Sequence, residues 1–197
     1  YSAKLVQSAV RKEMSRLGQV YIVDNSVNSV RSLYSLVSSF FPELRVAFLY
    51  GSMPKEKIKK TMGLLQNKKI NILVSTSIIE SGIDIPSVNT IIINNAHLFG
   101  LSQLHQLRGR VGRSNVQSYA YLLVPVSKNI KASGLSRLHS IKKYSSLGSG
   151  FSLAKVDLGL RGPGALFGYK QSGENLVGFE CYFKLLSLAL KKTKGGP

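Results

Sequence analysis

Cysteine occurs once in the 197 residues, at Cys181, and tryptophan not at all. A single thiol excludes an internal disulfide framework, and three scattered histidines with that thiol make no metal cluster of recognisable spacing. No apolar run approaches the roughly 20 residues that a membrane span needs. The start, Tyr1-Ser2-Ala3-Lys4, lacks the apolar core of a signal peptide. These absences lead to the expectation of a soluble protein of the reducing cytoplasm, without a membrane or a metal site of its own. Acidic residues are also scarce: 9 Asp+Glu stand against 27 Lys+Arg, a net charge of +18. From Ile85 to Val156 no acidic residue occurs, while Arg108, Arg110, Arg113, Lys128, Lys131, Arg137, Lys142, Lys143 and Lys155 fall there. A polyanion partner is the natural inference. Scattered lysines also suit a merely solvated surface, so the clustered arginines carry more weight.

Hydrophobic residues make up 44% of the chain. That is enough for the core of one domain of about 100–150 residues with an appendage. Residue 1 is not Met and a motif pattern starts almost at once, so a piece of a longer protein is expected. Leu5, Val6, Ala9, Val10, Met14 and Leu17 recur at helical spacing, and Gly18 ends that segment. Residues 19–23 read as a strand, Asp24-Asn25-Ser26 as turn and N-cap, and Val27, Val30, Leu33, Tyr34 and Val37 as a helix. The unit recurs: strand 45–50, turn Gly51-Ser52, Pro54 early in a helix carrying Ile58, Met62 and Leu65, then strand 70–75. Residues 90–94 and 119–124 complete five strands. Apolar strands alternating with helices predict an α/β fold, a parallel sheet covered on both faces. Pro125 closes the last strand and looser sequence follows, which places a boundary near residue 126. Beyond it, Leu135, Leu138, Ile141 and Leu147 suggest one helix. Phe179, Tyr182, Phe183, Leu186 and Leu190 suggest another, after the Gly-rich stretch 148–173.

Two segments carry chemistry. After the 70–75 strand comes Thr76-Ser77-Ile78-Ile79-Glu80-Ser81-Gly82-Ile83-Asp84-Ile85-Pro86. Ligand sites in α/β sheets gather in loops beyond the carboxyl ends of strands, and small hydroxyl residues with Gly82 allow close approach to a phosphate. Asp84 can accept from a ribose hydroxyl or position an arginine; an ordinary turn with a capping Asp has the same composition. The second segment is Gln106-Leu107-Arg108-Gly109-Arg110-Val111-Gly112-Arg113. Guanidinium groups bind phosphate oxygens bidentately and stay charged, so they can stabilise charge developing on a transferring phosphoryl group. Glycines between them let the chain turn each towards one point. A generic basic nucleic-acid patch is the plainer alternative.

The first segment resembles motif V, and the second motif VI, of superfamily 2 helicases. The run Phe99-Gly100-Leu101-Ser102-Gln103-Leu104-His105 leading into Gln106 to Arg113 resembles two related families, the transcription-repair coupling factors and the RecG fork-remodelling translocases. Residues 150–154, Asp157-Leu158-Gly159-Leu160-Arg161-Gly162-Pro163-Gly164 and Gln171-Ser172-Gly173 resemble the TRG motif of both. Residues 177–186 look like coupling factor rather than RecG. The resemblance implies a RecA-like domain over 1–126, the second of a double-stranded DNA translocase motor. A small, mainly helical TRG helical-hairpin and loop region is implied over 127–197. It implies Arg110 and Arg113 as arginine fingers and Gly82, Asp84 and Gln106 at ATP. It also implies Gly51, Thr76 and Arg108 at DNA, with Arg161 and Gln171 coupling nucleotide state to DNA movement. Two departures stand out: Ala165 replaces the usual acidic residue after Gly162-Pro163-Gly164, and His97 replaces the usual Asp before Phe99-Gly100.

A complete motor also needs a Gly-x-x-x-x-Gly-Lys-Ser/Thr loop and an acidic pair for Mg2+, and the chain has neither. The expectation is therefore that ATP and Mg2+ belong to the full-length motor and that this chain alone binds neither. An upstream first RecA-like domain would complete the cleft. RNA polymerase and nucleotide-excision repair proteins would be reached through other domains. The competing readings are a RecG-type translocase and a non-catalytic basic DNA-binding module.

Overall fold

The structure is a computed structural model that describes residues 3–77, 85, 87–112, 115–125, 130–143 and 156. The chain divides into two compact units, Tyr1–Ser145 and Ser146–Pro197, and in the second only Val156 is described. The first unit is a five-stranded, wholly parallel sheet in the order β2-β3-β1-β4-β5. Its strands are β1 (Gln19–Val23), β2 (Val46–Leu49), β3 (Ile72–Ser75), β4 (Val88–Ile93) and β5 (Tyr119–Leu122). Helices α1 (Ala3–Met14), α2 (Val27–Phe40), α3 (Lys55–Gln66), α4 (Leu101–Arg108) and α5 (Ala132–Lys143) accompany them, with a 3-10 turn at Ala96–Leu98. The parallel sheet and helices α1, α2 and α3 are those expected from the alternating pattern, whereas α4 is an addition to it.

Side chains of a strand alternate between the two faces of its sheet. Val20, Ile22, Ile72, Val74 and Ile92 share one face and form a single cluster with Val6, Ala9 and Val10 of α1 and Val30, Leu33 and Val37 of α2. The alternate residues Tyr21, Leu73, Ile91 and Ile93 are equally buried on the other face. Leu65 of α3 and Leu101, Leu104 and Leu107 of α4 are fully buried outside the first cluster. The three central strands are buried at every position, as strands covered on both faces must be.

Of the expected apolar face of α1, Val6, Ala9 and Val10 are buried, whereas Leu5 is exposed, and the pattern departs again at Leu17 and Glu13. Leu17 is 83% exposed and sits at φ 58°, outside the helix, because the chain reverses there into β1. Glu13, one turn after Val10, is fully buried and takes the next position on the core face. Past the expected boundary near residue 126, α5 packs within the first unit. Arg137 donates to the carbonyls of Phe99 (3.1 Å) and His97 (2.9 Å), and Arg108 Nη1 donates to that of Ile141 (3.2 Å). A Cβ on Gly134 of α5 would lie 3.2 Å from the His97 carbonyl oxygen, so helix and turn meet backbone to side.

Candidate functional site

In an all-parallel sheet every strand ends on one edge and starts on the other. The strands are four to six residues long, so the edges lie about 13–20 Å apart at 3.3 Å per residue. The sequence-predicted residues divide between these two edges.

At the carboxyl edge stand Gly51, two residues after β2, and Thr76, directly after β3. The Thr76 amide donates to the Leu49 carbonyl at 3.2 Å, which holds the two neighbouring turns together. Gly51 is exposed, its φ is not in the left-handed range, and a Cβ there would meet nothing within 4 Å. Among the described residues no contact demands a glycine at that position. Beside it, Arg31 Nη2 donates to the Tyr50 hydroxyl at 2.8 Å, with its guanidinium 5.3 Å from the Tyr50 ring.

The centre of this edge is organised by Asp24, which the sequence reading took only for a turn residue. Its carboxylate is fully buried. Oδ1 accepts from the Ser26 amide (3.1 Å), and Oδ2 from the side-chain amides of Asn94 (2.6 Å) and Asn95 (3.2 Å). The expected N-cap Ser26 makes no side-chain cap; its own amide instead donates to Asp24. Asn95 turns in the left-handed region, φ 49°, which asparagine tolerates better than most residues. One buried acid thus locks the ends of β1 and β4. An Asp straight after an all-apolar strand, with an Asn pair after another, was the available signal.

The arginine segment belongs to the opposite edge. From Asn95 the chain turns through the 3-10 helix into α4, which descends along the sheet to the start of β5. The Leu101, Leu104, Leu107 spacing forms the buried stripe of α4, and the Gln103 side chain accepts from the Gly100 amide (3.1 Å) at its first turn. Gln106 lies exposed on this helix; Arg108 and Arg110 are half-buried where it ends. Gly51 and Thr76 thus stand beyond carboxyl ends of strands, whereas Gln106, Arg108 and Arg110 do not. The reason is topological: a helix that connects parallel strands must return to the amino edge before the next strand begins. Arg108 is accordingly not brought to Gly51 and Thr76; its guanidinium reaches α5 instead. Gly112 takes φ 84°, and a Cβ there would lie 2.7 Å from Ser118 Oγ, so this glycine is required by both backbone and space. Gly82, Asp84, Arg113, Arg161 and Gln171 lie outside the described residues.

Charge and burial shape the amino edge. His105 has its pKa lowered below the ordinary 6.5, first by burial and second by the Arg108 charge; burial alone lowers that of Arg108. Gln19 pins the start of β1, with Nε2 donating to the carbonyls of Leu65 (2.8 Å) and Ile70 (2.5 Å) and Oε1 accepting from the Ser87 hydroxyl. Among the described residues one ion pair occurs, Arg16 with Glu13. The two buried acids, Glu13 and Asp24, are committed internally, so they do little to offset the positive surface. No group of three or more His, Cys, Asp or Glu among the described residues could hold a metal. No helix among them is long and apolar enough to cross a membrane. A groove of about 460 Å³ along α3, lined by Lys55, Ile58, Lys59, Met62, Gly63 and Gln66, contains none of the predicted site residues.

Known proteins resemble this chain in sequence and in fold. Over its whole length the chain is 43% identical to the transcription-repair-coupling factor of Escherichia coli (strain K12) and covers 17% of it. It is 44% identical to that of Buchnera aphidicola subsp. Baizongia pistaciae (strain Bp), covering 28%. The chain thus spans well under a third of the relatives it matches. The structure of RecG bound to a three-way DNA junction superposes with a TM-score of 0.68 at 32% identity, covering 94% of this chain and 24% of that one. The C-terminal domain of the DEAD-box protein Dbp5 shares the fold, with a TM-score of 0.53 at 21% identity, covering 71% of this chain and 78% of that one. The chain belongs to the helicase conserved C-terminal domain family, which it matches from residue 3 to 115, and along its length it is similar to transcription-repair-coupling factors.

Proposed function

We propose that this chain is the C-terminal half of an ATP-dependent double-stranded DNA translocase motor of transcription-repair coupling factor type. The observation that supports it best is the division of residues between two edges of one rigid sheet. An exposed glycine that no contact among the described residues requires and Thr76 stand on one edge, and Arg108 and Arg110 stand on the other. On this reading Gly51 and Thr76 approach the phosphates of duplex DNA. Arg110, with Arg113, faces the γ-phosphate of ATP held by an upstream RecA-like domain, and Gly82, Asp84 and Gln106 complete the nucleotide side. Arg108, which the resemblance assigns to DNA, also fixes the end of α4 to α5.

The residues present fit ATP as one wall of a cleft: half-buried guanidinium groups in a stretch, residues 85–156, whose sequence contains no acidic residue. Such groups offset charge that spreads over the phosphoryl oxygens during transfer. The ligands for Mg2+ and the phosphate cradle would come from the upstream half. Arg161 and Gln171 are proposed to couple cleft closure to movement along DNA, and RNA polymerase and repair proteins to be engaged by other domains. A cytoplasmic location goes with these partners. Identities of 41–44% to coupling factors, against 32% to RecG, favour the former type over a fork-remodelling one.

The test uses the full-length parent. It should hydrolyse ATP in response to duplex DNA and displace a triplex strand, whereas the isolated chain should show no turnover. Arg161→Ala or Gln171→Ala should keep DNA-dependent hydrolysis within about tenfold of native while displacement fails, since hydrolysis needs only the two halves to meet. A parent that binds DNA without DNA-stimulated hydrolysis would establish a non-catalytic binding module instead.

A further inference from the structure

The segment from Gly109 to Ser118 carries Arg110 and needs a hold at both ends. Its first end is fixed by α4, whose last residue Arg108 is tied to α5. The second end is held from a distance of 101 residues: Arg16 Nη1 donates to the Gln117 carbonyl at 2.6 Å. The other donors of the same guanidinium, Nε and Nη2, go to Glu13 Oε2 at 3.2 and 2.5 Å. Arg16 also lies over the ring of Tyr119, the first residue of β5, at 5.0 Å, and Lys12 Nζ lies 4.2 Å from that ring. Glu13 is anchored in turn to the sheet, because its Oε2 accepts from the Thr90 hydroxyl of β4. A continuous polar path therefore runs from β4 through Glu13 and Arg16 to the foot of the arginine segment.

Stability alone is a poor reason for this arrangement. A fully buried carboxylate loses its hydration, and a buried ion pair often does no better than apolar side chains of the same volume. A guanidinium fork offers something else, fixed directions to two acceptors at once. We propose that Glu13 and Arg16 form a clamp on Gln117 that, through the close approach of Ser118 to Gly112, sets the position of residues 109–112, which makes Arg16 a positioning residue for Arg110. This inference rests on the reading of Arg110 as a phosphate-facing arginine of the motor.

Charge stabilisation in phosphoryl transfer depends on placement, and a misplacement of about 1 Å costs on the order of 10²-fold. In the full-length parent, Arg16→Ala should lower kcat for DNA-stimulated ATP hydrolysis by about 10–100-fold. KM for ATP and duplex affinity without nucleotide should each stay within about threefold, because neither depends on the final placement of Arg110. Arg16→Lys, which keeps the charge and lacks the fork, should restore folding but not kcat; it serves as the test should Arg16→Ala fail to fold. Val37→Ala destabilises the core through α2 without touching the segment, and should keep native kcat below its melting temperature. Native kcat in Arg16→Lys, or an equal loss in Val37→Ala, overturns the clamp. Turnover lost in Arg110→Ala but native in both Arg16 variants overturns the clamp alone, whereas native turnover in Arg110→Ala removes the reading beneath it.

Discussion

Gly18→Ala should be among the most damaging single-methyl additions in the first unit, and its cost can be worked from the structure. A Cβ on residue 18 would lie 1.7 Å from Glu13 Oε1 and 2.7 Å from Glu13 Cδ. The backbone cannot retreat, since the Gly18 amide donates to the Glu13 carbonyl at 3.1 Å and the next residue, Gln19, is pinned by three side-chain hydrogen bonds. The carboxylate must therefore leave its pocket, which breaks its bonds to Arg16 and Thr90. Disrupting a pair whose carboxylate is fully buried and whose arginine is 23% exposed costs at most about 3–5 kcal/mol. For a chain of this size that lowers Tm by at most about 6–20 °C at 2–4 °C per kcal/mol. The assay is urea denaturation with a double-mutant cycle. Glu13→Ala should be destabilised by a similar amount, and adding Gly18→Ala to it should cost less than about 1 kcal/mol, because the atom that clashes is gone. A cost below 1 kcal/mol for Gly18→Ala in the native background, or equal costs in both backgrounds, would refute the picture of a rigidly held Glu13.

Other consequences follow from local geometry and charge. Leu17 holds a left-handed conformation while 83% exposed. Leu17→Gly should therefore raise stability by about 0.5–1 kcal/mol, the backbone relief of about 1–2 kcal/mol less the greater freedom of the unfolded chain; a loss in urea denaturation would contradict this. His105 has a lowered pKa, so the unfolded chain takes up its proton first. Stability from this group is present above 6.5 and declines as pH falls through 6.5 towards the lower folded value. Melting scans at descending pH should show a smaller drop for His105→Gln than for the native chain; equal drops would assign the effect to other groups. Gly51→Ala should leave stability within about 0.5 kcal/mol of native, as it meets nothing. Gly51→Glu should raise the DNA concentration needed for half-maximal ATPase stimulation in the parent without changing the maximum, and an unchanged DNA requirement would dissociate Gly51 from the DNA edge.

Much of the fold was legible because periodicity reports burial. Strands 19–23 and 119–124 were visible as short apolar runs, and α2 as Val27, Val30, Leu33 and Val37 at helical spacing. The α4 helix was not read as a helix, although Leu101, Leu104 and Leu107 carry its spacing, since eight residues between glycines offer few repeats. Arg108, Arg110 and Thr76 stood out in the sequence as candidates, but their separation onto two edges did not. That separation depends on strand order and on the length of α4, which a linear pattern does not encode. Asp24 and Glu13 were missed as organising groups for a related reason. A buried acid is recognised by its partners, and those partners, Asn94 and Asn95 for one and Thr90 for the other, lie 70–77 residues away.

The central claim is that the amino-edge arginines act on ATP while the carboxyl edge engages DNA. Its most direct test is DNA-stimulated ATP hydrolysis by the full-length parent carrying Arg110→Ala, measured at saturating duplex together with nucleotide binding. The account predicts turnover reduced by about 10³-fold or more, the range for an arginine that stabilises phosphoryl transfer, with ATP and DNA affinities close to native and no rescue by Arg110→Lys. Near-native turnover, or a loss of DNA binding in place of turnover, would contradict it.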